Sequence, residues 1–370
     1  MTIQLTRHVE SAEFVLPATE LGETLGFFTR TLGFRIDSIF PADDPATVVL
    51  SGYGIRLRLE RGRQGPPGIL RLLCDDPRAA AGGETVLTAP NGTRVELVEA
   101  DPPLHLPEMR PSVVISRITH DAAWGTGRAG MQYRDLIPDR QGGRFIASHI
   151  RVPGEGPVPD YVHFHKVRFQ MIYCYKGWVR LVYEDQGEPF VMRAGDCVLQ
   201  PPEIRHRVLE SGDDLEVIEI GCPADHITCV DHDLELPNHT VNPDRLFSGQ
   251  RFVRHEVAKA EWRPWRLGGF EARDLGIGDA TSGLAGVKVA RVAGTVDEAP
   301  HRHDAEFLFH FVLEGGVTVA CEGRQPEALK AGDSIAIPAH TAFSLAAASA
   351  DLEILEVALP EAFAFSPAAA

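Results

Sequence analysis

Three histidines in the middle of the chain are spaced so that their side chains can meet at one point. His163 and His165 lie two residues apart, which places both imidazoles on the same face of a strand. His206 comes from a different strand, just after a turn at Pro201-Pro202. Imidazoles on one face of a closed antiparallel barrel, joined by a third from a neighbouring strand, give the geometry of a divalent metal site. The spacing therefore predicts a metal centre.

Other residues that follow His165 are predicted to face the same interior. Gln170 comes after one irregularity in the alternation, and Ile172 and Cys174 continue its face. We expect Ile172 and Cys174 to line the cavity that holds a substrate. A buried free cysteine also serves as a small apolar filler, so Cys174 has this second interpretation. The sequence contains no Gly-rich phosphate loop, no G-x-S-x-G elbow and no Ser/His/Asp arrangement.

The histidines belong to a plan that occurs twice in the chain. Residues 130–156 match residues 269–294, and the offset between the copies falls only from 139 or 140 to 137. One supersecondary plan is therefore repeated. Corresponding positions are Arg134-Asp135-Leu136 and Arg273-Asp274-Leu275, His163 and His301, His165 and His303, Gly177 and Gly315, Ala194-Gly195-Asp196 and Ala331-Gly332-Asp333, and Pro201 and Pro338.

The second copy keeps only half of the set that could bind a metal. Leu308 stands at the position of Gln170, and Phe343 at the position of His206. His310 lies two residues beyond Leu308 and could substitute, so His301, His303 and His310 form a possible second metal site. The alternative is an apolar, structural barrel packed by four aromatic residues, which are Phe307, Phe309, Phe311 and Phe343.

The elements that must position these residues are mainly β-strands. Each copy contains short alternating strands separated by Gly, Pro and Asp turns, which is typical of a sandwich or barrel. Residues 1–102 differ: a helix with apolar residues at Leu21, Leu25, Phe28 and Leu32 is followed by alternating strands. We expect an N-terminal α+β domain (1–102), a linker (103–114), a first barrel (115–236), a second linker (237–256) and a second barrel (257–370).

The repeated motifs resemble those of the cupin superfamily. The first motif, a glycine followed by His-x-His, Glu or Gln, and a second glycine, runs from Gly156 through His163, His165 and Gln170 to Gly177. The second motif is Gly195, Pro201 and His206. The resemblance covers about residues 115–360 and implies a bicupin with two antiparallel β-barrels of the jelly-roll type, and a metal (Fe, Mn, Ni or Zn) in the barrel. It implies that His163, His165, Gln170 and His206 are the ligands.

This chain departs from the cupin pattern at Gln170, where the family usually has glutamate. A site of three neutral imidazoles leaves the +2 charge of the ion uncompensated, which favours capture of an anionic substrate or hydroxide. Gln170 has two possible roles, as a direct ligand or as a group that orients the substrate.

The N-terminal region resembles the vicinal-oxygen-chelate fold of glyoxalases and bleomycin-resistance proteins. The resemblance is carried by the stretches ATELGETLGFFTRTLGF and APNGTRVELVE and implies a βαβββ arrangement. It would place the metal-ligand positions of that fold near Glu13, Glu60, Ile69 and Glu96, a set without histidine. We therefore expect a dimerisation or substrate-gating module rather than a second catalytic centre.

Composition excludes several classes of partner. The 370 residues include 36 Lys and Arg against 52 Asp and Glu, a formal net charge of −16, which argues against nucleic acid and anionic membranes. No apolar run reaches a membrane span, and six cysteines without CxxC pairs are not a disulfide framework. We expect a cytoplasmic protein that acts on a small molecule and forms a homodimer, as both resembled families often do.

The functional hypothesis is a metal-dependent enzyme with a small anionic or enolisable organic substrate. With Fe²⁺, which we favour, three nitrogen ligands leave positions for the substrate and O₂, and the reaction is C–C cleavage by a dioxygenase. With Zn²⁺ the same ligands support hydrolysis or isomerisation, while Mn²⁺ and Ni²⁺ are further options. The alternative is a non-catalytic protein that binds a metal or small ligand as a sensor or assembly module.

Overall fold

The computed structural model describes residues 11–41, 44–119, 124–127 and 130–368. The chain forms two compact units, Met1–Pro103 and Leu104–Ala370, here called the N-terminal and C-terminal units. Strands predominate in the described part of the chain, as the turn-rich sequence predicts. In the described part of the chain, no helix has the length and apolar character needed to cross a membrane.

The N-terminal unit contains one main helix, which packs on the core of that unit. Helix α1 (Leu21–Gly26) continues as a π-helical turn (Phe27–Thr31), and the predicted apolar face is buried at Leu21, Phe28 and Leu32. Gly33 follows with φ +76°, a left-handed conformation that a glycine adopts without strain, so the helix ends there.

The strands of the N-terminal unit form two sheets on one core. The first sheet has the order β1-β4-β3-β2, with β1 and β4 parallel, and the second has the order β5-β7-β6, with β5 and β7 parallel. A short helix, α2 (Pro77–Ala80), lies between β5 and β6. The strands are β1 Phe14–Pro17, β2 Arg35–Phe40, β3 Thr47–Gly52, β4 Ile55–Glu60, β5 Ile69–Cys74, β6 Val86–Thr88 and β7 Arg94–Glu99.

The C-terminal unit contains the two repeats. We call strands β9–β18 the first barrel and strands β22–β32 the second barrel. The strands up to the end of the first barrel are β8 Val114–Ser116, β9 Gly125–Thr126, β10 Gln132–Asp135, β11 Ile146–Arg151, β12 Gly156–Pro157, β13 His163–His165, β14 Phe169–Tyr183, β15 Phe190–Arg193, β16 Cys197–Leu199, β17 His206–Cys222 and β18 Thr228–Val230.

The remaining strands connect to and build the second barrel, in which a short helix, α3 (Ile277–Ala280), precedes β24. These strands are β19 Leu246–Phe247, β20 Gln250–Arg251, β21 Val253–His255, β22 Arg263–Pro264, β23 Phe270–Asp274, β24 Gly286–Val292, β25 His301–His303, β26 Phe307–Glu314, β27 Gly316–Cys321, β28 Glu327–Lys330, β29 Ser334–Ala336, β30 Phe343–Ala346, β31 Glu353–Leu359 and β32 Phe365–Pro367.

Two long strands organise the first barrel. β14 and β17 pair antiparallel from Phe169 opposite Cys222 to Tyr183 opposite His206, with three shifts of register along the way. Such bulges bend a strand, so each of these strands serves both walls of the barrel. β13 pairs with β17 at one end, where His163 lies directly opposite His206. This pairing brings two of the predicted ligands onto neighbouring strands.

The two barrels exchange strands. β8, which precedes the first barrel in the chain, pairs with β29 of the second barrel. β21, which precedes the second barrel, pairs with β16 of the first. The segment 237–256, expected to be a linker, thus contains β21, which completes the first barrel. The segment 103–114 ends at Val114, the first residue of β8, which completes the second barrel. The largest apolar core lies between the barrels, where the ring of Phe145 stacks on that of Phe307 at 4.2 Å between ring centroids.

One packing expectation for the second barrel is wrong. Phe307, Phe309 and Phe311 lie in the core between the barrels, whereas Leu308 and Phe343 lie in the barrel's own core. Alternate residues of β26 point to opposite faces, so one face of this strand packs on the first barrel and the other lines the interior. Only Phe343 of the four aromatic residues fills the second barrel.

Candidate metal centre

His163, His165 and His206 come together in the first barrel. One ligand atom from each lies within 4.8 Å of those of the others. The ring centroids are 4.2 Å apart for His163 and His206, 5.2 Å for His163 and His165, and 5.3 Å for His165 and His206. His163 and His206 are buried and His165 is partly exposed. Among the described residues, no other group of three His, Cys, Asp or Glu has this geometry.

A hydrogen bond at Nδ1 fixes each of the three rings. Nδ1 of His163 lies 2.8 Å from the Tyr161 carbonyl oxygen, and Nδ1 of His206 lies 3.0 Å from the Ile204 carbonyl oxygen. Because a carbonyl only accepts, Nδ1 donates in both rings and the neutral imidazole carries its lone pair on Nε2. Nδ1 of His165 lies 2.9 Å from the Thr228 hydroxyl on β18. Such outer contacts orient histidine ligands in metal sites.

Gln170 lies beside the histidines in a chain of hydrogen bonds. Its Oε1 accepts from Nε2 of Gln200 at 3.2 Å, and its Nε2 donates to the carboxylate of Glu219. The Gln200 Oε1 accepts from the Tyr183 hydroxyl at 2.7 Å, and the Gln200 Nε2 lies 3.4 Å from the Nε2 of His206. The Gln170 amide is therefore held by two neighbours at the edge of the histidine cluster.

A cavity of about 90 Å³ adjoins the cluster inside the first barrel. His165, Gln170, Gln200, His206 and Glu219 form its polar end, and most of its remaining lining is aliphatic. Ile172 lines this cavity, as the alternation along the strand predicts.

Cys174 lies elsewhere. It packs in the apolar core of the first barrel, with Sγ 3.6 Å from the carbonyl oxygens of Lys176 and Gly177. Burial raises the pKa of this thiol to about 12, so it is not a thiolate at neutral pH. The residue has the environment of an apolar filler, and all six cysteines are free.

In the second barrel, the three histidines of the possible second site have other partners. Nδ1 of His303 accepts from the Ala305 amide at 3.2 Å, which places the proton of the neutral ring on Nε2. Burial lowers the pKa of His303 to about 4, so the ring is neutral. His310 lies 2.9 Å from the Glu356 carboxylate through Nε2, and His301 stacks on Phe365 with ring centroids 4.8 Å apart.

Phe343 occupies the position of His206 in the second barrel. It lies opposite His301 in the sheet, as His206 lies opposite His163. Glu356, which corresponds to Glu219, is buried and is held by both guanidinium nitrogens of Arg266. Within the described residues, His301, His303 and His310 do not bring three ligand atoms together.

The carboxylates at the ligand positions expected in the N-terminal unit are bound to arginines. Glu60 accepts from Arg58 at 2.8 Å, and Glu96 accepts from Arg94 at 3.0 Å. These ion pairs lower the pKa of both carboxylic acids. Ile69 offers no donor, so the described residues of this unit show no ligand set like that of the first barrel.

Sequence reasoning missed several polar neighbours of the cluster. Glu219 and Gln200 line the cavity, and the ring of His226 lies 5.4 Å from that of His165. The repeat contained a signal for one of them, because LEVIEIG and LEILEVAL place Glu219 at the position of Glu356. A glutamate in the middle of both copies of a buried strand is unusual and marks a polar interior position.

Three neutral imidazoles with anchored Nδ1 atoms fit a divalent metal. Nε2 lone pairs that converge from neighbouring strands are the donors that Fe²⁺, Zn²⁺, Mn²⁺ and Ni²⁺ accept in proteins. No Cys or carboxylate belongs to the cluster, so the set would leave coordination positions for small ligands from the cavity.

Comparison with known proteins identifies the repeats. The family model described as "Cupin domain" matches residues 149–221 and 289–358. The chain therefore carries two cupin domains, one in each barrel. A search of curated proteins finds no match.

Solved structures show the same paired architecture. A salicylate 1,2-dioxygenase from Pseudaminobacter salicylatoxidans is 14% identical with a TM-score of 0.52, over 71% of this chain and 90% of that chain. An oxalate decarboxylase from Lactobacillus farciminis in a formate complex is 13% identical with a TM-score of 0.52, over 70% and 90%. A mutant oxalate decarboxylase from Bacillus subtilis is 12% identical with a TM-score of 0.51, over 69% and 79%. At these identities the similarity establishes the bicupin fold.

Proposed function

We propose that this protein is a metal-dependent enzyme whose centre lies in the first barrel. His163, His165 and His206 would hold the ion through Nε2, with Gln170 either as a fourth ligand or as a group that orients the substrate. The observation that carries this proposal is the convergence of three histidines whose Nδ1 atoms are each hydrogen bonded. Such anchoring positions ligands before the metal binds.

The reaction we propose is oxidative C–C cleavage of a small organic substrate that is anionic or enolisable. Fe²⁺ would supply positions for substrate and O₂ at one centre. The residues of the chain orient the reactants: Gln170 and Gln200 present amide groups to the cavity, and the aliphatic lining excludes water from the substrate's carbon skeleton. The bicupin neighbours include a dioxygenase, which is consistent with this reaction class.

The second barrel is proposed to have a structural role. Phe343 replaces a ligand, Glu356 is neutralised by Arg266, and His303 uses its Nδ1 to accept a backbone hydrogen bond. We further propose that the N-terminal unit has the vicinal-oxygen-chelate fold and serves dimerisation or substrate gating in a cytoplasmic homodimer. Its β-α-β-β-β order and the parallel pairing of β1 with β4 support the fold. Sedimentation of the full chain would test the dimer.

Elemental analysis of the purified full chain tests the metal centre. We expect about one ion per chain, lost in the His163→Ala/His206→Ala double variant and kept in His301→Ala, which changes the corresponding histidine of the second barrel. Two ions per chain, or retention in the double variant, would contradict a single centre in the first barrel.

Oxygen consumption tests the reaction class. The Fe²⁺-loaded protein is expected to consume O₂ with members of a panel of diketones and hydroxy acids, and the double variant is not. Turnover without O₂ consumption in the Zn²⁺ form would favour isomerisation or hydrolysis. Metal binding without turnover of any member would favour the sensor or assembly role.

A further inference from the structure

The carboxylate of Glu219 gives the cavity of the first barrel a charge that the three-histidine cluster lacks. Glu219 lies on β17, directly across the sheet from Ile172, and both residues line the cavity. Its one hydrogen bond among the described residues comes from the neutral Gln170 amide. An acceptor-only group that borders the cavity selects for a ligand that can donate a hydrogen bond.

Glu219 is half-buried and, among the described residues, differs from the buried Glu216 and Glu356 in having no lysine or arginine paired with it. Glu356, at the corresponding position of the second barrel, is paired with Arg266 and His310. Glu216, three residues before Glu219, is paired with His149, Arg151 and Lys176. Within the described part of the chain, no lysine or arginine forms an ion pair with Glu219. Its carboxylate therefore borders the cavity without a lysine or arginine partner from the described residues.

The described lining of this cavity contains no lysine or arginine either. A carboxylate group of a substrate would meet Glu219 without a guanidinium or ammonium beside it, and the negative charge of Glu219 would offset half of the +2 charge with which an ion on the three histidines attracts an anion. A hydroxyl group would instead donate to Glu219, and hydrogen bonds to charged groups are the stronger ones.

The cavity also limits the size of the ligand. A volume of about 90 Å³ admits only a small ligand. Ile150, Val179 and Leu181 contribute to its apolar part, which fits a short aliphatic body.

We infer that the first barrel takes a small, uncharged hydroxycarbonyl compound in preference to a carboxylate of the same size. The inference rests on the proposed function, since the metal would bind the carbonyl oxygen while Glu219 accepts a hydrogen bond from the hydroxyl group. The proposed function allows a substrate that is either anionic or enolisable. This inference restricts it to compounds that are uncharged and enolisable.

A matched pair of ligands tests this preference. Acetoin and lactate have the same number of non-hydrogen atoms and the same hydroxyl group, and differ by a methyl group against a carboxylate oxygen. Each is titrated into the full-length, Co²⁺-loaded protein, and binding is measured by calorimetry and by the visible spectrum of the cobalt. We expect the wild type to bind acetoin at least tenfold more tightly than lactate.

The Glu219→Gln variant should reduce that ratio at least tenfold, because lactate gains affinity when the negative charge is removed and acetoin loses a charge-assisted hydrogen bond. Glu210→Gln is the control, since Glu210 lies on the same strand and pairs with Arg180; it should leave the ratio unchanged. Equal or tighter binding of lactate by the wild type, no binding of either ligand, or an unchanged ratio in Glu219→Gln would overturn the inference.

Metal content and thermal unfolding measured on the same samples separate the possible failures. If the wild type takes up no Co²⁺, the metal centre itself is refuted, and this inference with it. If Glu219→Gln loses its metal, Glu219 belongs to the metal site and the proposed role in substrate choice is wrong. If the metal is retained and only the ligand ratio fails to change, the centre remains and the substrate class is refuted.

Discussion

At the scale of single residues, the hydrogen bonds behind the histidines matter as much as the histidines themselves. His163 and His206 donate to carbonyl oxygens of residues two positions before them, so the local backbone fixes these rings. His165 depends instead on the Thr228 side chain of the neighbouring strand β18. This contact can be removed by one substitution, whereas the backbone contacts cannot.

Replacing Thr228 by valine should weaken metal binding about 10–100-fold, because the His165 ring loses the partner that orients it. The fold should remain, since Thr228 is exposed. Metal affinity is measured by competition with a chelator. Ser366→Ala on β32, the corresponding strand of the second barrel, is the control and should leave the affinity unchanged. Equal affinities in both variants would show that Thr228 does not position His165.

A glutamate at position 170, the residue usual in cupins, should act against Glu219 in this chain. Gln170→Glu places two carboxylates where an amide now donates to one, so the metal-free variant should unfold at a lower temperature than the wild type. Added Fe²⁺ or Zn²⁺ should raise its unfolding temperature more than that of the wild type, since the cation relieves the repulsion.

The double variant Gln170→Glu/Glu219→Gln is the control for this prediction. It restores one amide and one carboxylate with the positions exchanged, so the unfolding temperature of the metal-free protein should largely recover. If the double variant is no more stable than Gln170→Glu alone, the two side chains do not interact as the structure indicates.

The residues predicted from the sequence are those that simple alternation reaches without a shift of register. His163 and His165 share a face of the three-residue strand β13, and Ile172 lines the cavity. Glu219 could not be placed by alternation from His206, because both lie on the 17-residue strand β17 and its pairing with β14 shifts three times between them. Each shift changes which residues face inward, and the sequence does not show where the shifts occur.

At the scale of elements, the repeated Arg-Asp-Leu motif connects the barrels. Arg134 of the first barrel donates to the Gly332 carbonyl oxygen of the second at 2.6 Å. Arg273 of the second donates to the Gly195 carbonyl oxygen of the first at 3.1 Å. Both arginines are buried. The repeat made the motif visible in the sequence, but the two copies make their contacts across the chain, and such long-range pairing has no local signal.

Arg134→Met should lower the free energy of unfolding by about 3–5 kcal/mol, because it removes one partner of a buried polar network that includes His149 and Glu216. The matched control is Arg140→Met, since Arg140 pairs with Asp225 and is 39% exposed; its effect should stay below about 1 kcal/mol. Denaturant unfolding of both variants provides the comparison. Similar losses in both would mean that the network contributes little.

At the scale of the whole molecule, buried carboxylates should determine the response to acid. Burial alone raises the pKa of Glu216, but the hydrogen bond with His149 and the charges of Lys176 and Arg151 outweigh it and lower the pKa to about 2. Burial likewise opposes ionisation of Glu356, but Arg266 and His310 lower its pKa to about 2. Both groups hold fewer protons when folded than when unfolded.

The stability that these pairs contribute is therefore present above pH 4.5, the pKa expected in the unfolded chain, and is lost as the pH falls toward 2. Glu216→Gln should be less stable than the wild type at pH 7 and should lose less stability between pH 4.5 and 2, by about 2–3 kcal/mol. Denaturant midpoints measured across this range check the difference, with Glu210→Gln as the control. Parallel curves for wild type and Glu216→Gln would contradict it.

The exchanged strands predict that the two barrels unfold together. β8 completes the second barrel through the register of Ile115 with Ile335, and β21 completes the first through the register of Arg254 with Val198. The core between the barrels is shared, so neither barrel buries its apolar surface alone.

The variant Ile115→Pro tests this coupling, because it removes a donor and breaks β8, which pairs with the second barrel. We expect it to increase amide exchange in the core strands of both barrels, β14 and β26. Glu108→Pro, in the segment before β8, is the control. Hydrogen exchange followed by mass spectrometry distinguishes the outcomes, because faster exchange confined to the second barrel would show that the barrels are independent despite the exchange of strands.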